Sequence, residues 1–76
     1  MTHLTTRQVA AVLGRDESIA RRRIARWRGE GVEIGTATTG GRDTMTVAVG
    51  DVALRAGLDE ADVIALAMAA MAAEAA

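Results

Sequence analysis

The chain has 76 residues, of which half are apolar and only one, Trp27, is aromatic, and its net charge at pH 7 is −1. A chain of this length forms one small domain, and its apolar fraction excludes an intrinsically disordered chain. The absence of cysteine and the single histidine, His3, exclude disulfides and thiolate metal sites, so we expect no metal and no cofactor.

The first predicted element is a helix over residues 6–13. Thr5 and Gln8 have the spacing of a capping box, in which each side chain bonds the backbone N–H of the other residue. The apolar residues that follow recur at helical spacing, and Gly14 suits the position just after a helix. These signals predict both ends of a short amphipathic helix.

A second helix is predicted to begin after Asp16, which has a side chain suited to capping it, and to be ended by Gly29 and Gly31. Ala20, Ile24 and Trp27 form one apolar stripe along this helix. The stripe favours burial of Trp27 in the core over stacking of its ring on a nucleic-acid base.

Five of the nine arginines lie between positions 21 and 28, within the second helix. At helical spacing Arg22 and Arg26 lie opposite the apolar stripe, whereas Arg23 borders it. A cationic face of this kind is suited to a polyanion such as DNA. The residues of this helix that we expect to contact DNA are Ser18, Arg21, Arg22, Ala25 and Arg26.

The alternative interpretation is a solvated face that ion pairs within the helix neutralise. Glu17 lies four residues before Arg21, which favours one such pair. Arg26 lies four residues before Glu30, which favours a second pair. Arg22 has no acidic residue four positions away on either side. Because part of the charge stays unneutralised, we favour DNA contact.

Residues 32–38 and 44–49 alternate between apolar and polar side chains, which is typical of strands. Gly40 and Gly41 between them predict a two-residue type I′ turn, and hence a β-hairpin. Arg42 lies at its tip, where it either contacts a DNA phosphate or is solvated. The pairs that this turn predicts are Val32 with Val49, Ile34 with Val47, and Thr36 with Met45.

Two more helices are predicted after the hairpin. A short one covers residues 52–56, with Asp51 as its N-cap, and a longer one follows Asp59 and runs to residue 73. The longer helix is apolar on two faces. Either the domain covers both faces itself, or one face binds a second copy or another protein. The residues predicted for association are Ile64, Met68 and Met71.

The predicted order is helix, helix, strand, strand, helix, helix, an α+β arrangement. In "LTTRQVAAVLGRDESIARRRIARW" and "TTGGRDTMTVAVGDVALRAGL" the chain resembles small winged helix-turn-helix proteins of the MerR-type and excisionase superfamily. This superfamily includes phage recombination directionality factors and small actinobacterial regulators. The resemblance covers residues 4–58. It implies that the second helix enters the major groove and that Arg42, on the hairpin called the wing, contacts the DNA backbone.

These observations predict a non-enzymatic protein that binds double-stranded DNA. Its role is either transcriptional regulation or excisionase-like control of site-specific recombination. We expect it to act as a homodimer or as a cooperative assembly on DNA. An integrase or another protein is a candidate partner. We expect residues 1–58 to form the DNA-binding core of a single domain and residues 59–76 to pack on it. We expect it in the cytoplasm, on the nucleoid of a bacterial or phage-infected cell, without membrane contact.

The distribution of charge favours a rival function. Residues 1–42 carry a net charge of +4, whereas residues 43–76 carry −5. An acidic and apolar C-terminal half is suited to a protein partner rather than to DNA. The alternative is therefore a protein-binding adaptor or a phage-encoded inhibitor that acts through this half.

Overall fold

The computed structural model describes residues 1–75 and has four helices and one three-stranded antiparallel sheet, an α+β arrangement. The strand order in the sheet is β1-β3-β2, so the last strand lies in the middle. In chain order the elements are β1 (His3–Thr5), α1 (Thr6–Leu13), α2 (Glu17–Gly29), β2 (Ile34–Thr39), β3 (Arg42–Ala48), α3 (Val49–Ala56) and α4 (Glu60–Ala75).

Local capping sets the bounds of α1 and the start of α2, as the sequence predicts. The Thr5 hydroxyl accepts a hydrogen bond from the Gln8 backbone N–H at 3.3 Å, and the Gln8 side chain accepts one from the Thr5 N–H at 2.9 Å. Gly14 ends α1 in the left-handed conformation. The Asp16 carboxylate accepts the Ile19 N–H at 2.9 Å and so caps α2.

The hairpin of β2 and β3 has the predicted register. Ile34 lies opposite Val47 and Thr36 lies opposite Met45. Gly40 and Gly41 both have positive φ, +59° and +78°, as a type I′ turn requires. The predicted pair furthest from the turn, Val32 with Val49, does not form. Val49 begins α3 instead, and its N–H donates to the Thr2 carbonyl at 2.9 Å.

The strand β1 is absent from the predicted order. It pairs antiparallel with β3, placing His3 opposite Ala48 and Leu4 opposite Val47. Leu4 is fully buried in this position. Three residues are too few to show an alternating pattern, and their partners lie more than 40 positions away along the chain. The N-terminal segment is therefore an edge strand of the sheet.

The predicted start of α3 is wrong. The helix begins at Val49, directly after β3, and its N-cap is Ala48 rather than Asp51. Asp51 lies inside the first turn, where its charge still complements the helix dipole. α4 begins one residue after Asp59, as predicted, and extends two residues further than predicted, to Ala75. Residue 76 lies outside the described residues.

One hydrophobic core joins the sheet to all four helices. α1 packs against α2, α3, α4 and the strands β1 and β3. Val63 and Ala67 of α4 are fully buried in the same core. The other core residues are Leu4, Val9, Ala10, Val12, Ala20, Ile24, Trp27, Val32, Val47, Val49, Val52 and Ala53.

Candidate nucleic-acid interface

The helix α2 separates a buried face from an exposed one. Ala20 and Ile24 are fully buried and Trp27 is buried, which confirms the predicted apolar stripe and the core position of Trp27. Arg23 is half-buried at the edge of this stripe. The five residues of α2 predicted to contact DNA are all exposed: Ser18, Arg21, Arg22, Ala25 and Arg26.

Ion pairs neutralise only part of this exposed face. Arg21 lies 3.7 Å from Glu17, as predicted. The predicted pair of Arg26 with Glu30 does not form, because Glu30 lies 3.6 Å from Arg55 of α3 instead. Across residues 1–75, Arg22 and Arg26 have no carboxylate within salt-bridge distance. Two guanidinium groups one helical turn apart thus remain free to meet an anion.

The start of α2 holds a fixed negative charge. The Asp16 carboxylate accepts hydrogen bonds from the Ile19 N–H and, at 2.7 Å, from the Ser18 hydroxyl. These bonds, above all that from Ile19, lower the pKa of Asp16, and nearby Arg22 contributes less. The Ser18 hydroxyl donates its proton within the chain, so only its oxygen lone pairs are left for an outside group.

The hairpin presents Arg42 at its tip, as predicted. Arg42 is exposed and is the first residue of β3, opposite Thr39. Its neighbour Asp43 accepts a hydrogen bond from the Thr38 hydroxyl at 2.8 Å. The tip therefore carries a cation beside an anion, and its net charge is small.

A groove of about 480 Å³ connects the hairpin to the helices. It lies between the start of α1, the start of α2, the strand β3 and the end of α4. Arg21 of α2 and Arg42 of β3, both predicted for DNA contact, line it together. Its remaining charged residues are Arg7, Glu17, Asp43 and Glu74.

Arg7 and Glu74 were not among the predicted site residues. Arg7 Nε lies 2.8 Å from Glu17, and its Nη1 lies 3.2 Å from Glu74. The hydrogen bond with Glu17, followed by the charge of Glu74, raises the pKa of Arg7 above its ordinary value. No local motif joins residues so far apart along the chain; the only sequence signal was one isolated acidic residue ending an apolar helix.

The three residues predicted for association do not share one environment. Ile64 is half-buried and packs against the core. Met68 is exposed, with 57% of its surface accessible. Met71 is also exposed, but its sulfur accepts a hydrogen bond from the Gln8 side chain at 2.9 Å. Met68 is therefore the residue of this set that points most clearly away from the chain.

Comparison with known protein families, with curated proteins and with solved structures finds no match to this chain. Among residues 1–75, no three His, Asp or Glu side chains lie close enough together to hold a metal ion. None of the helices in this part of the chain combines the length and the apolar character that crossing a bilayer requires.

Proposed function

We propose that this chain is a non-enzymatic winged helix-turn-helix protein that binds double-stranded DNA with sequence specificity. In this proposal α2 lies in the major groove, and the hairpin of β2 and β3 is the wing. The observation that carries it is the exposure of Arg22 and Arg26, unpaired within residues 1–75, opposite the core-facing stripe. Like charges one turn apart destabilise a helix slightly, and a polyanion offsets that cost.

The dimensions of α2 fit this role. Its 13 residues span about 20 Å, and a major groove about 12 Å wide admits one helix. Arginine in the groove donates two hydrogen bonds to guanine O6 and N7. We assign this role to Arg22 and Arg26, with the small, exposed Ala25 beside them leaving room for base edges. We assign phosphate contacts to Arg21 and to Arg42 of the wing.

The resemblance to the MerR-type and excisionase superfamily supports two roles for such binding. One is transcriptional regulation, and the other is excisionase-like control of recombination beside an integrase. Both use the same surface, so the DNA site distinguishes them. A homodimer on a palindromic site favours regulation, whereas cooperative assembly along repeated sites favours recombination. In either role we propose that the protein acts on the nucleoid of a bacterial or phage-infected cell.

A protein-binding adaptor is the second candidate, and α4 favours it. Leu66 and Met68 of this helix are exposed apolar side chains, with Asp59 and Asp62 near its start. An apolar surface beside acidic groups is suited to a basic, partly apolar protein surface. Two copies of the chain that associate through Met68 would use the same surface of α4, and this association is compatible with DNA binding.

A titration of duplex genomic fragments in gel-shift experiments at several salt concentrations tests the proposed function. With the two arginine–phosphate contacts assigned to Arg21 and Arg42, we expect a slope of about −1.8 for log affinity against log salt. Replacing one base-contacting arginine costs about 10- to 100-fold in affinity, so we expect Arg22→Gln and Arg26→Gln each to weaken binding by that factor.

Arg23→Gln is the matched control, because it removes the same charge from the same helix at the edge of the buried stripe. We expect it to weaken binding much less than Arg22→Gln does. Circular dichroism shows whether each variant is folded. If all three folded variants bind as the unchanged chain does, α2 is not the DNA-binding surface. If no fragment binds to the unchanged chain, the adaptor function replaces the proposal.

A further inference from the structure

The side chain of Arg7 joins three helices. It extends from α1 and contacts Glu17 of α2 at 2.8 Å and Glu74 of α4 at 3.2 Å. The Arg7 side chain is 65% exposed and that of Glu74 is 48% exposed, so water and ions reach this pair. An exposed pair of this kind is weak and exchanges readily with other ions.

The end of α4 depends on such contacts. Ala67 is the last fully buried residue of the helix, and residues 68–75 are all half-buried or exposed. The polar contacts beyond that point are the one between Met71 and Gln8 and the one between Glu74 and Arg7. Glu74 is also the only charged residue after Asp62. Its carboxylate therefore lies at the groove beside α2 and the hairpin.

That groove brings Arg7 together with two arginines assigned to DNA phosphates, Arg21 and Arg42. A carboxylate and a phosphate use the same donors of a guanidinium group. Glu17 bonds Nε of Arg7 and Glu74 bonds its Nη1, so while Glu74 is in place both ends of this guanidinium group hold a carboxylate. A DNA backbone that enters the groove must compete with Glu74 for Arg7.

We propose that the end of α4 restrains DNA binding, with the Glu74 carboxylate occupying Arg7 in place of a backbone phosphate. This inference rests on the proposed function, since it concerns the regulation of the same surface. It makes Arg7 a latent phosphate contact. Anything that moves the last turns of α4 away from α1, such as a protein bound to that helix, then strengthens DNA binding.

The test is Glu74→Gln in the full chain, which keeps the size of the side chain and removes its charge. Since an exposed ion pair contributes little, we expect DNA affinity to rise about two- to five-fold. One more phosphate contact makes the salt slope steeper by about 0.9. Asp62→Asn is the matched control, because it removes one negative charge from α4 outside the groove. We expect it to leave the slope unchanged.

A second pair of variants separates the specific contact from a general effect of charge. In an Arg7→Gln background, Glu74→Gln should give no gain beyond that of Asp62→Asn. An equal gain with and without Arg7 overturns the inference. So does a Glu74→Gln variant that binds no better than Asp62→Asn, while the loss of binding in Arg22→Gln still supports the DNA function. If the unchanged chain binds no DNA, both proposals fail together.

Discussion

The helices α2 and α4 are the two longest in the protein, and they expose opposite chemistry. α2 presents arginines on the side away from its buried stripe. α4 presents alanines together with Leu66 and Met68, and residues 63–73 contain no charge. The difference indicates two kinds of surface on one small chain, one suited to a polyanion and one suited to an apolar partner.

The two helices also differ in how the core holds them. α2 contributes Ile24 and Trp27, two large side chains that are buried. α4 contributes Val63 and Ala67, which are smaller, with Ile64 half-buried beside them. The fully buried side chains of α4 are smaller than those of α2, and we expect α4 to be the more easily displaced helix.

The largest expected effect comes from shortening a core side chain in each helix. Ile24→Ala removes atoms from a fully buried site, and we expect it to lower the free energy of unfolding by about 2–5 kcal/mol. Ile64→Ala acts at a half-buried site and should cost less, because water already reaches part of that side chain. Urea denaturation of both variants measures the difference. Equal losses would show that the core holds the two helices equally firmly.

A smaller effect is expected from a charge on the exposed face of α4. If two copies associate through this helix, Met68→Glu places an unpaired carboxylate in an apolar interface and should weaken association by about ten-fold or more. Leu54→Glu is the matched control, since Leu54 is 77% exposed on α3. Sedimentation over a range of concentrations measures the mass. If the unchanged chain, Met68→Glu and Leu54→Glu all have the same mass, the chain does not associate through Met68.

The smallest expected effect concerns acid and the capped start of α2. Hydrogen bonds lower the pKa of Asp16 in the folded chain below its ordinary value of 3.8. Its ionised form therefore stabilises the fold above pH 3.8, and this contribution is lost as the pH falls through the lower, folded pKa. Asp16→Asn keeps a capping side chain without the charge. We expect the difference in urea midpoint between the unchanged chain and Asp16→Asn to become smaller as the pH falls below 3.8. A difference that does not change with pH would contradict this.

Much of the fold follows from local signals. The capping box of Thr5 and Gln8, the cap at Asp16 and the turn at Gly40 and Gly41 each depend on residues a few positions apart. Such signals can be read from the sequence because the atoms that interact are close along the chain. They placed α1, the start of α2 and the register of the hairpin correctly.

The remaining features depend on contacts between distant segments. β1 exists because residues 46–48 pair with it, and α3 begins three residues early because β3 ends where that pairing ends. Glu30 pairs with Arg55 rather than with Arg26 for the same reason: packing brings α3 to the end of α2. The exposed face of α2 followed from helical periodicity, whereas the contact of Arg7 with Glu74 required the tertiary structure.

The position of β1 has a consequence for synthesis of the protein. Residues 3–5 are synthesised before residues 46–48, with which they pair. At about 5–20 residues per second, several seconds pass before the pairing segment has been made. During that time Leu4 lacks the strand that it pairs with in the folded protein. Val63 and Ala67, which belong to the same core, are added later still, so the core closes only after residue 67 has been made.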